Sequence, residues 1–106
     1  MPTVQGDVKP LGDTGFMATF LINHYLYRFK AEMGKSVEFV TCREATLTYD
    51  SISELTSTRS YDGTIGPHDI SFNISNGPKI TGRLDGYTTP SGDLSSSGSW
   101  SNEHEW

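Results

Sequence analysis

The chain has 106 residues, 34% of them hydrophobic, with 11 glycines and a formal net charge of −5 at pH 7. That length suits one domain near the small end of what buries its own core, and the low apolar share suits strands that each offer one apolar face. The acidic balance, with eight basic residues scattered along the chain, excludes sequence-independent nucleic-acid binding and charge-driven docking on anionic lipid, because no basic stripe exists to displace counterions.

Residues 1–15 are expected to form an irregular arm. Pro2, Gly6, Pro10, Gly12 and Gly15 interrupt regular structure there, with room for a short edge strand at Thr3-Val4-Gln5. The arm has no apolar run of the signal-peptide kind. Nowhere does the chain hold the roughly 18 consecutive apolar residues of a membrane helix. The expected location is cytoplasmic, or secreted with the signal already removed.

A single barrel-like domain is predicted over residues 16–101. Two patterns compete from Phe16 to Met33. Met17, Leu21, Tyr25, Phe29 and Met33 recur every four residues, as on a helical stripe. The aromatic content and the break at Gly34 instead suit a long strand or a bent pair of strands, which is the reading adopted. On that reading Tyr25, Tyr27 and Phe29 share one face, and Phe20, Ile22 and Leu26 the other.

Ser36 to Cys42 and Glu44 to Tyr49 read as strands, with Ala45, Leu47 and Tyr49 on one face. Ser51-Ile52-Ser53-Glu54 has capping-box spacing. It predicts one short helical turn over 52–57, with Ile52 and Leu55 tucked under the sheet. Asp62-Gly63 reads as a turn and Gly66-Pro67 as a loop.

The strongest pattern comes next. Ile70, Phe72 and Ile74 alternate with Ser71, Asn73 and Ser75, then Asn76-Gly77, then Ile80, Gly82 and Leu84 on the return. The spacing predicts an antiparallel hairpin closed by a type I′ turn with positive φ at both Asn76 and Gly77. Thr88 to Gly98 is rich in Ser and Gly, yet Leu94, Ser96, Gly98 and Trp100 share strand parity. A closing strand is expected at 94–101, followed by a polar tail over 102–106. The whole reads as all-β, a small antiparallel barrel or sandwich of about six to eight strands.

Candidate chemistry is sparse. Cys42 is the single cysteine, so an intramolecular disulfide is excluded and a reducing setting favoured. A buried structural thiol outweighs a nucleophile, since Arg43, its adjacent cation, points to the opposite face of a strand. His24, His68 and His104 lack the short spacings of a zinc site, and Glu103-His104-Glu105 reads as solvated tail. His68 between Pro67 and Asp69 reads as a loop histidine.

Asp13, Asp50, Asp62, Asp69, Asp85 and Asp93 read as turn formers or strand-end residues. Neither a nucleophile elbow nor a phosphate-cradling loop occurs. The aromatic residues read as core and girdle rather than a ligand box. Asn73-Ile74-Ser75 matches the glycosylation sequon, which has meaning in a eukaryotic secretory setting.

From about residue 20 to Trp100 the chain resembles the small bacterial virulence-associated proteins of the VapA type. The likeness lies in Tyr25-Leu26-Tyr27-Arg28-Phe29, Ala45-Thr46-Leu47-Thr48-Tyr49, Ser51-Ile52-Ser53-Glu54-Leu55 and Ser97-Gly98-Ser99-Trp100. It implies a compact eight-stranded antiparallel barrel with a closed core, secreted or surface-associated, without a catalytic site. Cys42, the acidic tail and the missing signal depart from that pattern, and no residue role carries over.

The function expected is that of a non-enzymatic binding or interaction module, a secreted bacterial effector-like protein, with another protein as partner. It needs no cofactor or metal, and a homo-oligomer is compatible with it. A lipocalin-like small-molecule carrier is the alternative, and a small hydrolytic enzyme using His68 and loop carboxylates comes third. Whether the barrel interior is packed or hollow separates the first two.

Overall fold

The computed structural model describes residues 2–12, 14–33, 41–85 and 92–104, with the backbone alone at 104. Eight strands form one closed antiparallel barrel: β1 Thr3–Leu11, β2 Gly15–Ile22, β3 Tyr25–Glu32, β4 Cys42–Thr48, β5 Thr58–Ile65, β6 Asp69–Ile74, β7 Lys79–Arg83 and β8 Gly92–His104. Their order around the barrel is β1-β2-β3-β8-β5-β6-β7-β4. Read from β4 this is 4-1-2-3 followed by 8-5-6-7, two Greek keys joined at the β3–β8 and β7–β4 seams. Closure removes the sheet edges that a sandwich of the same strands would leave open.

The segment from Phe16 to Met33 is a pair of strands. Ile22 faces Tyr25 across a two-residue turn, with Asn23 at φ 51° and His24 at φ 70°. Positive φ at both central residues is what a tight turn between right-twisted strands requires. Phe16, Ala18, Phe20 and Ile22 point inward from β2, and Tyr27, Phe29 and Ala31 from β3. The turn shifts the parity between the strands, so Leu26 faces outward and does not share the face of Phe20 and Ile22.

Two boundaries are corrected. Residues 3–11 are no irregular arm: β1 pairs with both β2 and β4. Gly6, read as a breaker, makes room for its neighbour, since a Cβ there would lie 2.0 Å from the Thr19 carbonyl oxygen. Pro10 sits beyond Val8–Cys42, where β4 no longer pairs with β1. At the other end, residues 102–104 belong to β8, where Asn102, Glu103 and His104 pair with Tyr27, Leu26 and Tyr25. The closing strand therefore begins earlier and ends later than 94–101. Of the strand expected over 36–42, residues 36–40 lie outside the described residues, as do the tail residues 105–106, and Cys42 opens β4, which runs unbroken to Thr48.

The β6–β7 hairpin forms where expected, with Ile70, Phe72, Ile74 and Ile80 buried and Phe72 directly opposite Ile80. Its turn differs. Gly77 alone takes positive φ (126°). The Gly77 N–H donates to the Ile74 carbonyl at 3.0 Å and the Ile74 N–H to the Pro78 carbonyl at 2.9 Å. This is a three-residue loop, and it directs the Asn76 amide to the Glu54 carbonyl at 2.9 Å. A contact outside the hairpin thus selects the turn. Asp62-Gly63 is also no turn, since both residues lie inside β5 opposite Asn73 and Phe72.

One 3₁₀ turn, Ile52–Glu54, links β4 to β5. The capping box is present: the Ser51 hydroxyl accepts from Ser53 N–H, and the Glu54 carboxylate accepts from Asp50 N–H at 2.9 Å and Ser51 N–H at 3.3 Å. Leu55 is fully buried and Ile52 half-buried against the core. Gly6→Ala separates a barrel strand from an irregular arm. It should destabilise the protein by about 3 kcal/mol through overpacking of β1 against β2, read as a lowered thermal midpoint. Gly77→Val should cost on the order of 1–3 kcal/mol through its positive φ.

Candidate functional site

The barrel interior comes first, because it decides whether a ligand could sit there. Phe16 of β2 stacks on Phe72 of β6, with ring centroids 4.7 Å apart and planes at 14°. Phe29 of β3 packs on Trp100 of β8 at 4.9 Å. Tyr61 of β5 stands edge-on to Phe16, Phe29 and Phe72 at 5.8, 6.0 and 5.6 Å. Rings from strands on opposite sides of the barrel therefore meet at its centre, in the edge-to-face and offset arrangements that aromatic quadrupoles favour. The Tyr61 hydroxyl donates to the Glu32 backbone carbonyl. Burial first, and the Glu32 charge second, push its pKa up to about 12.

A cleft of about 540 Å³ opens at the end of the barrel bounded by β4 and the start of the β7–β8 link, lined by Arg43, Glu44, Arg83, Leu84 and Asp85. It owes its shape to a β-bulge. Gly6 pairs with Ala45 and Val8 with Cys42, so Asp7 alone opposes both Arg43 and Glu44. Such an extra residue bends the strand and re-aims its side chains. Arg43 Nε reaches Asp85 Oδ2 at 3.0 Å, and Asp85 N–H donates to the Thr41 carbonyl at 2.9 Å. The Arg43 side chain is 84% exposed, so this pair contributes less than about 1 kcal/mol and is easily exchanged for a partner's carboxylate.

Beneath the cleft, Cys42 is fully buried, and burial raises its thiol pKa. A Cβ on Gly82 would stand 2.5 Å from its sulfur. The thiol is packed and protonated, the opposite of an activated nucleophile.

His24 lies in the β2–β3 turn and the backbone of His104 pairs with Tyr25 at that same end of the barrel, while His68 is exposed in the β5–β6 loop at the other end. Among the described residues no three His, Cys, Asp or Glu side chains gather to hold a metal. Of the aspartates, Asp69 opens β6, Asp93 lies at the start of β8, Asp85 joins the cleft and Asp62 faces outward inside β5. Asp13 lies outside the described residues. Asn73 of the sequon is exposed on β6.

Sequence reasoning places Arg43 and Asp85 on separate elements and misses their meeting. The bulge that joins them has no local signature, because it arises from a register shift between β1 and β4. Comparison of the chain with protein-family models, curated proteins and solved structures finds no match.

Tyr61→Phe should cost about 1 kcal/mol at pH 7 by removing the hydrogen bond to the Glu32 carbonyl. The folded pKa lies above the unfolded value of about 10. Stability from the neutral phenol is therefore complete below pH 10 and lost as pH rises through about 12. Thermal melts of the native chain should fall more steeply over that window than those of the phenylalanine variant.

Proposed function

We propose that this protein is a non-enzymatic interaction module that acts through its outer surface on another protein. The observation that supports this most is the interior. Phe16, Phe29, Tyr61, Phe72 and Trp100 occupy the barrel centre from five different strands. A barrel of eight strands encloses just enough space for side chains or one small ligand, and here side chains take it.

Recognition then falls to the outside. The Arg43–Asp85 cleft fits that role, because it is lined by both charge signs and by an ion pair that a partner's side chain can replace. The VapA-type resemblance agrees with the same reading, and exported bacterial origin is part of the proposal.

The test is a panel of fatty acids, retinoids and haem-like compounds at micromolar concentration. The expected result is no saturable binding and no change in thermal midpoint. A ligand that binds 1:1 and stabilises the fold by roughly 2.7 kcal/mol at a hundredfold excess over its Kd would replace this reading with the carrier. The replacement would be complete if Phe72→Glu abolished that binding with the fold retained.

A further inference from the structure

Among the described residues, the outward positions of β4 to β8 carry only Ser, Thr, Asn, Asp, Glu, Lys or Arg. The β2–β3 wall breaks that rule. Met17, Leu21 and Leu26 point away from the core, Leu21 is 50% exposed, and it lies directly opposite Leu26. Leu11 of β1, 41% exposed, extends the apolar strip toward the other end. Apolar side chains on the outer face of a closed barrel gain nothing from its core, and the Leu21–Leu26 pair leaves apolar surface open to a contact.

The charges around the strip specify what it contacts. In one row Met17 sits between Lys9 and Lys30, in the next Thr19 sits between Asp7 and Arg28, and in the third Leu21 and Leu26 adjoin Glu103. Arg28 is matched by Glu103 at 3.5 Å. Lys9 and Lys30 are exposed and make no ion pair with the described residues. Two interstrand spacings place them about 10 Å apart. Lys9 and Lys30 thus flank a thioether beside two leucines, with Asp7 and Glu32, likewise without an ion pair among the described residues, two positions along their strands.

We infer that the outer wall of β1, β2 and β3 docks a short protein segment that combines carboxylates with aliphatic side chains. The carboxylates meet Lys9 and Lys30, and the aliphatic groups cover Met17, Leu21 and Leu26. This rests on the interaction-module reading above and adds to the Arg43–Asp85 cleft a second surface with its own partner chemistry. Three rows across three strands span on the order of 200 Å², far below the roughly 800 Å² per partner of a stable dimer, which favours a short segment over a second copy. Two unpaired lysines are fewer than the roughly four to eight clustered basic residues that hold a protein on an anionic bilayer.

The test titrates the full chain with a 12-residue peptide repeating Asp-Leu-Glu-Ser, read by calorimetry and by amide chemical shifts. Two control peptides replace either every Leu by Ser or every acid by Lys. The acidic leucine peptide should bind and shift the amides of β2 and β3. Its affinity should fall about tenfold or more in Lys9→Glu/Lys30→Glu and in Leu21→Ser, with melting curves unchanged.

Equal binding of either control, no binding at millimolar peptide, or shifts confined to the Arg43 cleft would each overturn the wall as the docking surface. The last of these would leave the interaction-module reading standing, whereas a saturable apolar ligand inside the barrel would remove that reading itself. Sedimentation and phosphatidylserine vesicles complete the test. Concentration-dependent dimers lost in Leu21→Ser would assign the wall to a second copy, and vesicle binding lost in Lys9→Glu/Lys30→Glu would assign it to lipid. Either outcome overturns the proposal.

Discussion

The structure depends on β8. Its first half is bonded to β5 and its second half to β3, so it joins the two Greek keys along one side of the barrel. It must also pass close to the aromatic centre. Gly98 lies where a Cβ would come 2.7 Å from the Phe29 ring, and Ser96 is the next inward residue. Small side chains let β8 approach while Trp100 and Leu94 anchor it at either end. A Ser- and Gly-rich segment that looks like linker is thus the seam, and its thinness is the condition for a full interior.

A full interior has consequences for what the protein can do. Tyr61 touches rings from β2, β3 and β6 and ends its hydroxyl on the β3 backbone, so the centre is held by aromatic contacts and one polar anchor. On the proposed reading, recognition falls to the outer wall and the barrel ends. There the side chains that stand out are Arg43, re-aimed by the β4 bulge, and the apolar strip of β2 and β3. Cys42 is packed into the core, and His24 and His68 stand at opposite ends of the barrel.

Local order also depends on distant contacts. The 3₁₀ turn and the β6–β7 loop brace one another, with Asn76 donating to the Glu54 carbonyl and Gly77 lying against the Glu54 carboxylate. Glu54 meanwhile caps its own turn through Asp50 and Ser51. One glutamate therefore closes a cap and seats a hairpin on the opposite Greek key.

Period-two alternation in Ile70–Ile74, Ala45–Tyr49 and Leu94–Trp100 determined the all-β class, because a strand places alternate side chains on one face whatever surrounds it. The capping box at Ser51–Glu54 was equally legible, being complete within four residues. The apolar strip hid in plain view. Met17 and Leu21 supplied the helical spacing that blurred residues 16–33, and only the strand parity of β2, which turns Phe16, Ala18, Phe20 and Ile22 inward, places them outside. Tertiary structure alone decided the strand character of residues 6–11, the length of β8, the turn at Asn76-Gly77 and the Arg43–Asp85 cleft. Each of these is set by a neighbour far away in sequence, through ring closure, register or a side chain on another strand, and no local pattern carries that information.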